Sequence, residues 1–331
     1  MKLSGKNILF IAPAFFGYEK KIAEKMTNLG AEVDYFDERS IHRSYERALL
    51  KINPQIFHKK SMDYYNKIID QFSNVEYDYV LVIKCEMMPV DIIKKLKSTF
   101  NKAYFCLYLY DSLDNIKGIT TKINYFDRVL SFDMEDTSQN SKMIFRPLFF
   151  IDDYKKTFNK QMEYKFDVSF VGTIHSDRYK VIKAIKEIAD KNHFKYFFYC
   201  YLQSKFIYYF YKLSKREFRS SKKEDFEFNK IASSKIAEII DKTKVVLDVQ
   251  HPKQTGLTMR TIEILGMHKK LITTNQSIKK YDFYSPDNIA VIDRTFITIP
   301  EDFLDKPYSQ IEDDIYNKYS LENWIIDVLG V

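Results

Sequence analysis

FDVSFVGTIHSDR, residues 166–178, decides how the chain is built. The run from Phe166 to Val171 is short, mostly apolar and stops at Gly172. That is the mark of a strand covered on both faces and followed by a turn. From about Asp177 to Ala189 the spacing becomes helical. Strand, turn and helix in this order restart a pattern that the chain has already run once. Upstream, Asn7–Ala12 (NILFIA) reads as a strand, and Pro13 to Tyr18 as a loop. A helix from about Glu19 to Leu29 follows, with Gly30 as its stop. Glu32–Phe36, Tyr79–Lys84, Ala103–Tyr110 and Arg128–Phe132 read as further strands, with helices over Met62–Phe72 and Val90–Thr99. Ile41 to Lys60 carries helix signals without a clear role.

Downstream, Phe194–Tyr201, Val245–Val249, Leu271–Thr274 and Asn288–Ile292 read as strands, and Asn229–Asp241 and Met259–Met267 as helices. Strands without alternation, separated by helices, predict parallel sheets with helices on both faces. The fold class is therefore α/β, with two Rossmann-like domains facing across a cleft. Lys142 to Tyr164, with its Arg146-Pro147 break, reads as the connection. The expected division is 1–150, 151–320 and a closing helix in 321–331 that can pack back on the first domain. Open sheets of this kind bind ligands at the carboxyl ends of their strands. The opening strand-loop-helix lacks GxGxxG, so no dinucleotide is expected.

A length of 331 residues suits two domains. The 25 Tyr and 27 Phe stand against a single Trp. Either an AT-rich coding sequence or work at a membrane surface accounts for that bias. The net charge of +7 attracts polyanions in general, but no nucleic-acid motif accompanies it. No nucleic-acid partner is expected. Cys85, Cys106 and Cys200 lie far apart in apolar runs, which predicts buried thiols in a reducing compartment. No secretion signal or spanning helix is read, so a cytoplasmic location is expected. Gln203–Lys223 (QSKFIYYFYKLSKREFRSSKK) begins with aromatics and carries six basic residues from Lys212 onward. On a helix it reads either as a membrane-surface contact or as core packing with a solvated basic end.

The segment with most chemistry is His251–Asn275, HPKQTGLTMRTIEILGMHKKLITTN. It leaves a strand's carboxyl end, runs through Lys253, Gln254, Thr255, Gly256 and Thr258, and enters a helix near Met259. A helix N-terminus offers backbone N–H groups and a positive dipole end to an anion. Lys253 and Arg260 add full charges, and Glu263 lies one turn in, where a carboxylate can accept from a ribose diol. A glycine loop with ordinary caps and a surface Glu is the plain alternative. In the 170–178 turn, Gly172 permits close approach, while Thr173, Ser176 and Arg178 can hold phosphate oxygens. His175 suits loop packing as well as catalysis. In the first half, the strand-end loops offer Gly17, Tyr18 and Glu19, then Lys84 and Glu86, then Asp111 and Ser112. Asp111 and Glu19 are the carboxylates there that could take a proton from a bound hydroxyl; the plain alternatives are that Asp111 caps a helix and Glu19 complements a helix dipole. Asp133, Glu135 and Asp136 read as a helix-capping run rather than a metal site.

The His251–Asn275 segment resembles the donor signature of GT-B-fold glycosyltransferases. Glu263 matches the second Glu of their Glu-x7-Glu pattern and Gly256 the glycine after the first, while Thr255 stands where the first Glu would be. More of the chain resembles the CgeB-like glycosyltransferases and the lipopolysaccharide core-biosynthesis transferases. The matching pieces are FFGYEK (15–20), LYDS (109–112), SFDMED (131–136), FVGTIHSDR (170–178) and the Glu263 segment. The resemblance implies a GT-B fold and transfer of a sugar from a nucleotide carrier to a bacterial surface glycan. The implied donor side is Gly172, Thr173, His175, Arg178, His251, Lys253, Thr255, Gly256, Thr258, Arg260 and Glu263. The implied acceptor side is Gly17, Tyr18 and Glu86, with no metal and no resident cofactor expected. Two rivals remain at this point: a nucleotide-sugar epimerase on the same fold, and a non-catalytic basic protein that binds membrane or nucleic acid.

Overall fold

A computed structural model describes residues 2–41, 46, 54–158, 163–252, 255–300 and 302–331. Most of the 41–60 stretch therefore lies outside the described residues, as do Lys253 and Gln254. The chain divides into two compact units, Met1–Leu148 with Leu321–Val331, and Phe149–Ser320.

The first unit holds a six-stranded parallel sheet in the order β2-β1-β3-β4-β5-β6. Its strands are β1 (Asn7–Ala12), β2 (Glu32–Asp37), β3 (Tyr79–Ile83), β4 (Tyr104–Leu109), β5 (Arg128–Ser131) and β6 (Met143–Phe145). β1, β3 and β4 are buried along almost their whole length, as continuous apolar runs require. β6 falls inside the stretch read as a connection. It is only three residues long, with Met143 inward and Ile144 exposed, too short to carry a sequence pattern. The closing helix Leu321–Leu329 belongs to this unit. It buries Trp324 edge-on against Tyr108, ring centroids 4.8 Å apart, and Asp327 pairs with the buried Arg146 at 2.7 Å.

The second unit holds a five-stranded parallel sheet in the order β11-β10-β9-β7-β8. These are β7 (Phe166–Thr173), β8 (Tyr196–Tyr201), β9 (Thr243–Asp248), β10 (Lys270–Thr273) and β11 (Ile289–Val291). Two elements differ from the sequence reading. The helix expected from Asn229 starts at Ser233. Ahead of it, Glu227 makes a single bridge to the edge strand β8, with Leu202 N–H donating to the Glu227 carbonyl and Glu227 N–H to the Cys200 carbonyl, which covers the carboxyl end of that edge. The aromatic helix spans only Lys205–Ser214 and does not continue to Lys223. Beyond it the chain turns back through a short helical turn to bury Phe218, which stacks on Phe226 at 5.4 Å.

Strand order locates the places where ligands bind in such sheets. In each unit the chain lays one strand on one side of its first strand and then reverses. The crevice outside the carboxyl ends at that reversal is the binding position in open α/β sheets. It lies between β1 and β3 in the first unit and between β7 and β9 in the second.

Candidate functional site

At the second unit's switch point, the loops after β7 and β9 are tied to each other by side chains. Arg178 donates through Nε to Val249 O at 2.6 Å and through Nη1 to Thr173 O at 2.8 Å. Arg294, just after β11, grips both oxygens of Asp177 at 2.7 and 2.8 Å and the Gln250 carbonyl at 2.7 Å. Nη1 serves both carboxylate oxygens and Nη2 the carbonyl, so one charge-assisted group ties the two loops together. Asp177 is thus held by Arg294 and makes no side-chain cap on the helix Arg178–Lys191. Gly172 lies close under its neighbours: a Cβ there would stand 3.0 Å from the Phe170 ring and 3.6 Å from Arg178. His175 and His251 face each other with ring centroids 5.8 Å apart. Burial, and next the Arg178 guanidinium, push the His175 imidazole down to about 4, so it is neutral at pH 7. It can donate or accept a hydrogen bond there but brings no charge to an anion.

The helix Met259–Gly266 opens at the same edge. Thr258 is its N-cap: the hydroxyl accepts from Thr261 N–H at 3.2 Å and donates to Asp248 at 2.6 Å. Thr261 also donates to Asp248, at 2.8 Å. Asp248, the last residue of β9, therefore aims the helix start at the strand ends. A Ser, Thr or Asp cap contributes about 1 kcal/mol. Asn275 holds the preceding loop, with its amide nitrogen 3.2 Å from Thr255 O and 3.3 Å from Gly256 O. Glu263 is buried one turn along and pairs with Arg260 at 2.7 Å. Tyr154 lies beside this pair, its phenol pushed up to about 12 by burial and by Glu263.

In the first unit, Phe16 and Gly17 both adopt positive φ in the loop after β1. Gly17, at φ 85°, starts the helix Tyr18–Asn28. Glu19 is buried and accepts from Phe15 N–H at 2.9 Å. Tyr18 is also buried, while Phe15 and Phe16 are exposed with their rings edge to face at 4.8 Å. After β3, the consecutive residues Lys84 and Cys85 sit at φ 75° and 57°, a strain that gathers at working sites. Lys84 Nζ stands 3.1 Å from Glu86 and 3.6 Å from Asp111, and Asp111 also accepts from Asn115 at 2.9 Å. The buried Lys122 pins the Cys85 and Glu86 carbonyls at 2.8 and 3.1 Å. Behind them Glu38 is fully buried, accepting from Met87 N–H. Burial pushes its carboxyl up to about 7, against the opposing pull of that N–H and of Lys122.

The described residues among those expected lie at the carboxyl ends of their own unit's strands, in the loops there or early in the helices that follow, Asp111 after β4 and the others at β1, β3, β7 and β9. Asp133 is a helix N-cap, accepting from Glu135 N–H at 3.0 Å, and it also takes the Ser112 hydroxyl at 2.9 Å. Asp136 accepts from Leu113 N–H and Ser131. Among the described residues, no group of three or more His, Cys, Asp and Glu side chains is placed to hold a metal ion. Sequence reasoning missed Arg294, Asp248 and Asn275 in the second unit and Glu38 and Lys122 in the first. Asp248, ending the VVLD run beside the His251 loop, was the one within reach.

No family model matches the chain, and no curated protein matches it by sequence. Solved structures match it over almost its whole length. The lipopolysaccharide outer core galactosyltransferase WaaB, in its apo form, aligns at a TM-score of 0.52 and 14% identity, over 98% of this chain and 99% of that one. HepE of Anabaena, solved with UDP and glucose, aligns at 0.59 and 11%, with the same coverage. The UDP-GlcNAc 2-epimerase of Methanocaldococcus jannaschii aligns at 0.54 and 9%, again over 98% and 99%. With two parallel α/β sheets matched end to end by such structures, this chain has the GT-B fold. Transferases and epimerases both stand among the proteins that share it.

Proposed function

We propose that this protein is a glycosyltransferase that takes a sugar from a nucleoside diphosphate carrier and passes it to a bacterial surface glycan. The observation that carries the reading is the second unit's switch point. There a capped helix start, aimed by Asp248, meets a β7 turn braced by Arg178 and Arg294. A helix N-terminus beside arginines stabilises the charge that develops on a departing diphosphate, without a metal. Glu263, with Arg260, serves the ribose, and His175, neutral at pH 7, serves as a hydrogen-bonding partner. Lys253 belongs to the same donor loop in this proposal. The UDP held by HepE makes UDP the first donor nucleotide to try.

Transfer requires removal of the acceptor hydroxyl proton. Asp111 takes it. Its side chain is 39% exposed and beside Lys84, whereas Glu19 is buried and turned to its own loop backbone. The acceptor is a lipopolysaccharide, capsule or related glycan chain, met in the cytoplasm at a membrane face. Among the described residues no helix is long and apolar enough to cross a membrane.

Calorimetry with UDP and other nucleoside diphosphates tests the donor site. Wild type binds one of them, and Glu263→Ala binds it at least tenfold more weakly, about 1.4 kcal/mol. Equal binding by the two proteins removes Glu263 from the site. Incubation of a UDP-sugar without acceptor then separates the fold's two chemistries: an epimerised UDP-sugar as product overturns transfer.

A further inference from the structure

The helix Lys205–Ser214 (KFIYYFYKLS) has two apolar faces, and only one is used. Its inner face sets Ile207, Tyr208 and Tyr211 against the second unit's core, with Tyr208 buried and its hydroxyl donating to Ser221 O at 3.2 Å. Its outer face carries Phe206 at 79% exposure, Tyr209 at 55%, Phe210 at 57% and Leu213 at 83%. At about 100° per residue these four fall within about 100° of arc, opposite the packed three. Scattered exposed hydrophobics need no explanation, but four large ones in one contiguous stripe mark an interaction surface.

Charge decides what covers it. Between Gln203 and Lys223 there are seven basic residues and one acidic residue, Glu217. Lys205 on the helix and Arg216, Arg219 and Lys222 in the segment directly after it are exposed. A second copy docking the same face by a two-fold axis would set these cations against themselves. An anionic bilayer surface instead takes aromatic rings at headgroup level and basic groups among its phosphates. We infer that the Phe206/Tyr209/Phe210/Leu213 face docks the protein on an anionic membrane surface, lying in the plane of the interface.

The position of the helix gives the docking a use. It follows the carboxyl end of β8, so its start stands on the strand-end edge that carries the candidate donor site. Lys215, the first residue past its end, donates to Ser176 O at 3.2 Å, in the loop that carries His175. This deepens the transferase reading by naming the surface where its acceptor is met. It rests on that reading only for the acceptor.

The test is sedimentation of the full chain with vesicles of phosphatidylcholine, alone or mixed with phosphatidylglycerol. Wild type partitions to the mixed vesicles and much less to the neutral ones, and added salt weakens the binding. The double variant Phe206→Ser with Leu213→Ser loses at least tenfold in partitioning. Both side chains are exposed, so its circular dichroism stays that of wild type. A wild type that stays in the supernatant, a double variant that sediments as wild type does, or equal binding to neutral vesicles overturns the inference. So does a wild-type dimer that this double variant splits, since a second copy would then be the occupant. Nucleotide binding on the same preparations separates the two proposals. Vesicle binding lost with UDP binding intact concerns this face alone. UDP binding absent from a wild type that sediments concerns the donor site alone.

Discussion

The two units share one architecture and spend their charges in opposite ways. At the second unit's switch point, arginines bind carbonyls and carboxylates so that loops and a helix start are held still: Arg178 to Val249 and Thr173, Arg294 to Asp177, Arg260 to Glu263. At the first unit's switch point, carboxylates gather around two lysines: Glu86 and Asp111 by Lys84, and Glu38 behind Lys122. The first arrangement suits holding an anion, because its donors are fixed before any ligand arrives. The second suits moving a proton, because carboxylates held beside a lysine at strand ends are placed to take one from a hydroxyl. Fold likeness says nothing of this division of labour.

The sharpest way to break the comparison is Asp111→Asn. It removes the proposed base and leaves the fold of the loop, since an amide oxygen can still accept from Asn115. Transfer falls a hundredfold or more, in keeping with general-base contributions of about 10²–10⁴. UDP binding, read by calorimetry, stays within a factor of about two of wild type. Transfer near the wild-type rate moves the base to Glu19, and loss of UDP binding denies that the two units divide the work.

Part of this was legible in the sequence. Parallel strands covered on both faces announce themselves as short apolar runs, which is why NILFIA and FDVSFV were enough to expect two Rossmann-like sheets. Gly172, Thr258 and Glu263 could be picked out because each sits in, or one turn past, a strand-end loop read from local spacing. Arg294 does not, because its partner Asp177 is 117 residues away. Lys122 reaches back 37 residues to Cys85, and nothing around it in the chain sets it apart from 51 other lysines and arginines. Glu38 was hidden for a different reason. It follows directly on β2, in an acidic run that no local pattern marks as inward-facing, yet it is fully buried.

Glu38 gives the next largest effect. Its carboxyl is raised by burial from its usual value to about 7. A raised carboxyl favours the folded state below the unfolded value, and that contribution is lost as pH rises through about 7. The shift corresponds to a penalty on the order of 3 kcal/mol once the group must ionise. Glu38→Gln keeps an acceptor for Met87 N–H and cannot ionise. Melts at about pH 5 and about pH 8 should show the variant gaining on wild type at the higher pH. A constant difference between the two proteins across that range would mean that Glu38 ionises without cost.

His175 provides the smallest effect and the opposite sign. Its imidazole is lowered to about 4 by burial first and then by Arg178, His251 and Lys215. The unfolded chain therefore binds a proton here before the folded one does, so stability rises with pH between about 4 and about 6.5 and is lost as the solution is acidified through that window. His175→Asn keeps hydrogen-bonding capacity without a titrating ring. Subtracting its acid melts from those of wild type should leave a decline confined to that window, small because the side chain is only half-buried and water screens part of the cost. Occupancy of the site sharpens the contrast. A bound diphosphate favours the protonated imidazole, so saturating UDP should raise the His175 midpoint and move the decline to higher pH, whereas the Glu38 midpoint in the other unit should stay where it was. Movement of both midpoints together would mean that the two switch points are electrostatically one site. Movement of neither would place the diphosphate away from the β7 turn.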